Sequence, residues 1–231
     1  MKAFVASFSR KVVCISMGCV LVLCSLVFSQ ETTNLPNDVR WVRKSMEYQN
    51  LCIQIYRNAG EKMTEYAKGK KERLAVVLDL DETVLDNSPY QVQLWQNKQS
   101  FTQESWNIWV NRVEAGLVPG AKNFLSQAER LGMQVVFLSN RMESNLKPTK
   151  RNLKALGVLG PKDLFLLRKN KQDTKELRRK EILEGTGRMK TVGMHEVVVY
   201  LGDQIGDFPS QKPTKFGDRF FLFPNPTYGK W

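Results

Sequence analysis

Two aspartates separated by one residue, Asp79 and Asp81, directly follow the apolar run at positions 74–78. Residues two apart just beyond a strand can reach the same cleft, while Leu80 between them turns back to the core. Carboxylates crowded in this way repel each other, so the site needs a shared proton or a cation. A hard divalent cation with oxygen ligands satisfies both groups. The pair therefore predicts chemistry based on carboxylates and a metal ion.

Two later apolar runs also end in polar residues. These residues are Ser139, Asn140 and Arg141 after the run at 135–138, and Asp203 and Asp207 after the run at 197–201. In open α/β sheets the functional site lies beyond the carboxyl ends of the strands. Asp203 can then complete an oxygen shell with the first pair of aspartates. Mg²⁺ fits such a shell best, because no soft ligands are nearby.

The sequence lacks the parts of several other catalytic designs. His195 is the one histidine among 231 residues, which excludes a zinc site made of several histidines and leaves histidine-based nucleophilic catalysis without its partners. It precedes the run at 197–201, opposite the expected site, and is interpreted as structural or exposed. The sequence also has no glycine-rich phosphate loop ending in Lys-Ser/Thr. We therefore expect catalysis by carboxylates and a metal ion.

Buried strands that alternate with amphipathic helices predict the fold class. Continuous apolar runs are typical of strands covered on both faces. Strong runs lie at 74–78, 135–138 and 197–201, weaker ones at 164–167 and 220–223, and amphipathic stretches at 120–131, 146–156 and 174–183. The sequence therefore predicts an α/β fold with a mostly parallel sheet and helices on both faces.

Two further segments complete the predicted organisation. A helical pattern runs from Asp38 to about Gly69, so residues 30–72 are predicted to be an N-terminal helical segment that packs on a core domain at 73–231. Residues 88–117 are polar and rich in Gln, Asn and Trp. They are too long for a simple turn and predict a small helical cap insertion.

Residues 1–29 have the layout of an export signal. Three basic residues precede an uncharged apolar run, and Ser29 offers a small residue before a cleavage point. We expect an exported protein that is periplasmic, outer-membrane-associated or secreted. An uncleaved anchor and lipidation at Cys19 or Cys24 stay open, and with them membrane association through the N-terminus. Removal of the signal leaves Cys52, a predicted buried thiol, as the one cysteine and excludes an intramolecular disulfide.

Charge favours anionic ligands. Lys and Arg outnumber Asp and Glu by 35 to 23, which gives a formal net charge of +12. Such a surface attracts nucleic acid, acidic lipid headgroups or phosphorylated small molecules. No basic and aromatic motif for single strands is present, and a capping insertion favours small substrates. We expect no stable nucleic-acid partner.

The motifs together resemble those of the haloacid dehalogenase superfamily. Its four motifs are similar to Asp79-x-Asp81-x-Thr83, Ser139, Lys175 and the pair Asp203 and Asp207. The longer block at 77–90, with further blocks at 105–109, 118–121 and 224–231, resembles the class C acid phosphatases, including the lipoprotein e group of bacterial 5′-nucleotidases. This resemblance covers nearly all of the chain after the signal and implies a Rossmann-like sheet with a small cap.

The resemblance implies a two-step phosphoryl transfer. Asp79 would attack phosphorus and form an aspartyl-phosphate. Asp81 would first protonate the leaving alcohol and then activate water. Mg²⁺ would be held by the Asp79 carboxylate, the Asp81 main-chain carbonyl and Asp203, while Asp207 fixes a metal-bound water.

The resemblance also implies which groups bind the phosphoryl oxygens. Ser139, Asn140 and Lys175 would donate hydrogen bonds to them. Lys175 is preferred to the nearby Lys169 and Lys171, because the family places this lysine three residues before an arginine, as here.

Trp106 and Tyr228 are implied to bind the rest of the substrate. Aromatic faces stack on flat groups without demanding one base, which favours nucleoside 5′-monophosphates as substrates. Trp95 and Trp109 are assigned to packing. Gly206 departs from the family, which often carries an acid at this place.

Two alternatives stay open. One is a storage or ligand-binding relative that keeps the fold without the activity; loss of Asp79 would mark it, and Asp79 is present. The other is a polynucleotide-end phosphatase, which the net charge of +12 suggests.

Overall fold

The computed structural model describes residues 35–69 and 73–229. Of these, residues 36–69 and 73–229 belong to one compact unit. The predicted export signal, with Cys19, Cys24 and Ser29, lies outside the described residues. Within the described ranges, no helix has the length and hydropathy that a membrane span requires.

A parallel sheet of five strands forms the centre of the described fold. All strands of the described ranges are β1 (Leu74–Leu78), β2 (Leu85–Asp86), β3 (Gly116–Leu117), β4 (Gln134–Phe137), β5 (Leu164–Phe165), β6 (Glu196–Gly202) and β7 (Phe220–Leu222). The central sheet has the order β5-β4-β1-β6-β7, while β2 and β3 pair separately and antiparallel. Because β1 lies between β4 and β6, the polar residues that follow these three strands meet at one edge of the sheet. The predicted α/β fold is confirmed.

Helices surround this sheet. The α-helices of the described ranges are α1 (Asn37–Lys44), α2 (Met46–Ala67), α3 (Ser88–Gln96), α4 (Gln103–Arg112), α5 (Ala121–Arg130), α6 (Leu146–Ala155) and α7 (Lys175–Glu184), and short 3-10 helices lie at Glu143–Asn145, Gly187–Met189, Ile205–Asp207 and Pro213–Lys215. The amphipathic stretches predicted at 120–131, 146–156 and 174–183 correspond to α5, α6 and α7. In chain order each lies between two strands of the parallel sheet: α5 between β1 and β4, α6 between β4 and β5, and α7 between β5 and β6, as parallel pairing requires.

The central strand β1 separates two hydrophobic clusters, because alternate residues of a strand point to opposite faces. Val76 and Leu78 belong to the cluster that contains Phe124 of α5. Val77 belongs to the cluster that contains Ile182 of α7. Full burial of each such side chain stabilises the fold by about 1.5–3 kcal/mol. Helices therefore cover both faces of the sheet, which explains the unbroken apolar run of β1.

The helical pattern predicted from Asp38 to about Gly69 forms two helices in the structure, because the helix is interrupted at Ser45. This residue has extended backbone angles, φ −81° and ψ 140°, and begins α2 as its N-cap. The Tyr48 amide donates a hydrogen bond to the Ser45 hydroxyl at 3.0 Å, the usual function of a serine before a helix. Cys52 of α2 is fully buried and free, as predicted.

The segment predicted as a cap insertion contains α3, α4 and β3. A capping box begins α4: the Ser105 amide donates to the Thr102 hydroxyl at 3.0 Å, and the Thr102 amide donates to the Ser105 hydroxyl at 3.3 Å. Trp109 is buried, but Trp95 is 40% exposed, so its assignment to packing is wrong. The division at 30–72, 73–231 and 88–117 stays a prediction.

Candidate active site

A tight turn after β1 brings the first aspartates to the carboxyl edge of the sheet. The Asp79 amide donates to the Leu201 carbonyl of β6 at 2.9 Å, so the ladder continues one residue beyond β1. Glu82 then takes a left-handed φ of +57°, and its amide donates to the Leu85 carbonyl at 2.8 Å. This turn places the side chains of Asp79 and Asp81 beyond the end of the strand.

Three buried carboxylates meet at this edge. One oxygen of each of Asp79, Asp203 and Asp207 lies within 4.8 Å of the others. Burial raises the pKa of Asp79 well above its usual range, and burial together with the charge of Asp207 raises the pKa of Asp203 to about 6. A cation among these oxygens would favour their ionised forms. The donor set consists of hard oxygen ligands and therefore fits a divalent cation such as Mg²⁺.

Lys175 reaches this carboxylate cluster from the first turn of α7. Its ammonium lies 2.7 Å from Oδ1 of Asp79 and 2.5 Å from Oδ1 of Asp207. Burial acts to lower the pKa of Lys175, but the two carboxylates outweigh it and raise that pKa above its usual value. Lys169 and Lys171 are exposed. Of these three lysines, Lys175 is the one whose ammonium is paired with the cluster.

Two glycines, Gly202 at the end of β6 and Gly206 beyond it, differ in the space they leave for a side chain. A Cβ on Gly202 would lie 2.3 Å from the Asp207 side chain, so only glycine allows Asp207 to approach this closely. The Gln204 amide holds the other Asp207 oxygen at 2.9 Å. At Gly206, in contrast, a Cβ would meet no atom within 4 Å. The departure from the family pattern at Gly206 therefore leaves open space and does not disturb the cluster.

Asp81 points to different partners from Asp79. Its carboxylate forms an ion pair with the buried guanidinium of Arg141 at 2.7 Å, and it accepts a hydrogen bond from Nδ2 of Asn87 at 3.0 Å. Its side chain keeps 14% exposure, whereas that of Arg141 keeps 1%. The structure thus separates the two aspartates of the first motif into two environments.

Ser139 and Asn140, which follow β4, are held by Arg178 of α7. The Arg178 guanidinium donates to the Ser139 carbonyl at 2.5 Å and to Oδ1 of Asn140 at 2.7 Å. Ser139 is buried, and its hydroxyl accepts a hydrogen bond from the Arg141 amide at 3.1 Å. Burial lowers the pKa of Arg178 to about 10. Lys175 lies on the same helix as Arg178. The hydrogen bonds of Arg178 therefore fix the position of the loop after β4 relative to Lys175.

The two aromatic residues predicted to bind substrate occupy different surroundings. Trp106 of α4 is half-buried, with its ring 5.1 Å from that of Tyr90 and 5.5 Å from the guanidinium carbon of Arg141. Tyr228 is 38% exposed, and its hydroxyl donates to the buried carboxylate of Glu82. Burial raises the pKa of Glu82 well above its usual range. Both aromatic side chains are thus held by neighbouring residues and still keep part of their surface exposed to solvent.

Residues 224–229 form hydrogen bonds to Asp203 and Gln204, which follow β6. Nδ2 of Asn225 donates to Oδ2 of Asp203 at 2.8 Å. Within the segment, Oδ1 of the Asn225 side chain accepts hydrogen bonds from the amide and the hydroxyl of Thr227 at 3.0 and 2.8 Å. Nε2 of Gln204 donates to the Tyr228 carbonyl at 3.3 Å. This C-terminal strap fixes the orientation of Asp203.

Sequence reasoning missed several of these polar residues. The sequence patterns assign no function to Glu82 and Arg141, which lie within the motifs, or to Asn87 and Asn225, which lie within the blocks of the resemblance. The sequence signal for Glu82 is its position as an acidic residue directly after the proposed catalytic Asp81. His195 is buried at the amino end of β6, where its Nδ1 lies 3.0 Å from the Gly193 carbonyl. This position agrees with the structural interpretation.

Comparisons with known proteins add a family and several relatives. The family model described as HAD superfamily, subfamily IIIB (Acid phosphatase), matches residues 23–231. The class C acid phosphatase from Bacillus anthracis is 31% identical in sequence and superposes with a TM-score of 0.74, covering 87% of this chain and 86% of that one. Its structure with tungstate bound superposes with a TM-score of 0.73 at 30% identity, with the same coverage.

Plant proteins are also similar to this chain. The Stem 31 kDa glycoprotein of Glycine max is 29% identical over 157 residues, which cover 66% of this chain and 58% of that protein. Vegetative storage protein 1 of Arabidopsis thaliana is 27% identical over 170 residues, which cover 71% of this chain and 59% of that protein. The chain therefore spans less than two thirds of the length of these relatives.

Proposed function

The chain belongs to the acid phosphatases of HAD superfamily subfamily IIIB, and we propose that it is a divalent-metal-dependent phosphomonoester hydrolase that acts through an aspartyl-phosphate. The observation that carries this proposal is the buried cluster of Asp79, Asp203 and Asp207 with the ammonium of Lys175. A nucleophilic carboxylate, a set of hard oxygen ligands and a cation for phosphate oxygens meet there. Those are the parts that phosphoryl transfer by this route needs.

The carboxylate cluster would hold the metal ion. Asp79 and Asp203 would supply carboxylate oxygens, the main-chain carbonyl of Asp81 is a further proposed ligand, and Asp207 would fix a water bound to the ion. We propose Mg²⁺ because the donors are hard oxygens. When bound, the ion supplies positive charge that neutralises and orients the phosphoryl group.

The protein residues carry the reaction in two displacements. In the first, a carboxylate oxygen of Asp79 forms a bond to phosphorus while the bond from phosphorus to the leaving oxygen breaks, and Asp81 gives that oxygen its proton. In the second, a water oxygen attacks the phosphorus, the bond to Asp79 breaks, and Asp81 takes a proton from the water. Inorganic phosphate leaves, and both aspartates return to their starting states.

Donors around the cluster would stabilise the phosphoryl oxygens. Ser139, Asn140 and Lys175 are proposed for this function, and Arg178 fixes the loop that carries the first two. Prearranged donors of this kind act most strongly where charge develops in the transition state. The tungstate in the similar Bacillus anthracis structure is an oxyanion and agrees with an anion site in that relative.

We propose small phosphomonoesters as substrates, with nucleoside 5′-monophosphates as the favoured class. The partly exposed rings of Trp106 and Tyr228 support this class, because aromatic faces stack on bases. For the cellular location we propose export to the periplasm, the outer membrane or the medium, with residues 1–29 as the signal.

Hydrolysis of two substrates tests this function. The purified full-length chain, loaded with Mg²⁺, is expected to release phosphate from p-nitrophenyl phosphate and from adenosine 5′-monophosphate, and excess chelator should abolish both reactions. No hydrolysis of either would contradict the proposal and favour the storage alternative. If a 3′-phosphorylated oligonucleotide were the better substrate, with affinity falling steeply as salt is added, the polymer alternative would replace it.

A Trp106→Ala variant tests the recognition of flat groups. We expect KM for adenosine 5′-monophosphate to rise about tenfold, because loss of one stacked aromatic costs about 1–3 kcal/mol. KM for a small aliphatic phosphate should change little. Steady-state kinetics on both substrates provides the measurement, and equal changes in the two KM values would exclude stacking on Trp106.

A further inference from the structure

We propose that Arg141 and Asn87 are positioning residues that hold the Asp81 carboxylate by its Oδ1 atom and leave Oδ2 to face the reacting groups. This inference rests on the proposed function, in which Asp81 acts as acid and then as base. Within the described part of the chain, neither residue forms a hydrogen bond to the carboxylate cluster of Asp79, Asp203 and Asp207. Their effect on catalysis would therefore pass through Asp81.

The two oxygens of the Asp81 carboxylate are unequally occupied. Oδ1 accepts three hydrogen bonds: from Nε of Arg141 at 2.9 Å, from its terminal nitrogen at 2.7 Å and from Nδ2 of Asn87 at 3.0 Å. Oδ2 accepts one longer bond, from Nε of Arg141 at 3.2 Å. A carboxylate oxygen offers two lone-pair sites, so three donors saturate Oδ1. Oδ2 therefore keeps a lone pair that no donor of the described residues occupies.

Buried contacts fix the Arg141 guanidinium in this orientation. Its other terminal nitrogen donates to the Thr149 hydroxyl of α6 at 3.1 Å, and both residues are buried. Its backbone amide donates to the Ser139 hydroxyl at 3.1 Å. A planar guanidinium held at several points presents a rigid pair of donors, which an ammonium cannot reproduce. Arg141 therefore sets the plane of the carboxylate.

Asn87 is oriented by a donor from the cap. Nε1 of Trp109 donates to Oδ1 of Asn87 at 2.9 Å. An indole nitrogen can only donate, so the Asn87 carbonyl must face Trp109 and its amide nitrogen must face Asp81. The interpretation of Trp109 as packing alone is thus incomplete. Through Asn87, helix α4 of the cap helps to orient the proposed acid of the reaction.

Substrates with different leaving groups separate this function from a general structural one. An aliphatic phosphate releases a basic alkoxide that needs a proton from Asp81, whereas p-nitrophenyl phosphate releases a stabilised phenolate that needs little assistance. We expect Arg141→Lys to lower kcat/KM for ethyl phosphate about 100-fold, the low end of the effect of general acid catalysis. The loss for p-nitrophenyl phosphate should stay under about tenfold. Equal losses on both substrates, or none, would overturn the inference.

A milder variant keeps the test decisive if Arg141→Lys does not fold. Trp109→Phe retains a ring in the core and removes the donor to Asn87, so kcat/KM for ethyl phosphate should fall about fivefold, as expected for one hydrogen bond, with a smaller change for p-nitrophenyl phosphate. No difference between the substrates would count against the inference. Arg112→Lys, an exposed change in the same helix as Trp109, is the control and should leave both values unchanged. A wild-type protein that hydrolyses neither substrate would instead remove the proposed function, and the inference with it.

Discussion

An Asp79→Asn variant is expected to lose at least ~10³-fold in kcat, because a reaction that depends on one nucleophile has no substitute for it. The amide has nearly the shape of the carboxylate, so the contacts around the site are retained. It also removes one of three crowded negative charges from a buried position. We therefore expect the variant to fold with a Tm no lower than that of the wild type. Steady-state kinetics and a thermal melt measure the two quantities.

A matched control separates loss of the nucleophile from loss of charge. Asp218→Asn makes the same chemical change away from the site, where the carboxylate accepts a hydrogen bond from Tyr66 at 2.7 Å. This variant should keep kcat close to the wild-type value. Full activity in a homogeneous Asp79→Asn preparation would show that another group attacks phosphorus.

A Lys175→Met variant should lower kcat/KM by about 10²–10³-fold, the cost of removing one prearranged donor to a developing charge. A second effect follows from the position of this ammonium between Asp79 and Asp207. Without it, the three buried carboxylates repel one another unless a divalent cation is bound. We therefore expect a lower Tm than the wild type in the absence of metal, and a larger rise in Tm on addition of Mg²⁺.

The thermal measurement also tests whether Lys175 belongs to the metal site or merely lies beside it. Lys180→Met is the control, because Lys180 is exposed on the same helix. Its ammonium lies 3.6 Å from the exposed carboxylate of Glu176. It should respond to Mg²⁺ as the wild type does. If Lys175→Met showed the same rise in Tm as this control, the proposed electrostatic relation between lysine and metal would be refuted.

Much of the fold follows from local patterns. An unbroken apolar run such as β1 is enough to predict a buried strand, since both of its faces must avoid water. The break between α1 and α2 was missed because the apolar positions continue through it, and one serine hydroxyl decides where the second helix begins. Trp95 was assigned wrongly because composition does not tell which face of α3 meets the core.

The candidate site was predictable only in part. Asp79, Asp81 and Asp203 follow apolar runs, and parallel strands bring such positions to one edge. Lys175 depended on the resemblance, since nothing in its local sequence distinguishes it from Lys169. The partners of Asp81 and Asp203 could not be predicted, because they depend on side-chain directions across distant segments. Arg141 and Asp81, for example, lie 60 positions apart.

The long separations within the site also bear on how the protein folds. Lys175 and Asp79 are 96 positions apart, and Tyr228 and Glu82 are 146. Contacts between remote parts of a chain are slow to form, because the entropy of closing long loops is lost before the contacts stabilise the structure. Arrangements that require several such contacts at once are completed late. The recovery of phosphatase activity during refolding would therefore report the final cooperative step and no earlier intermediate.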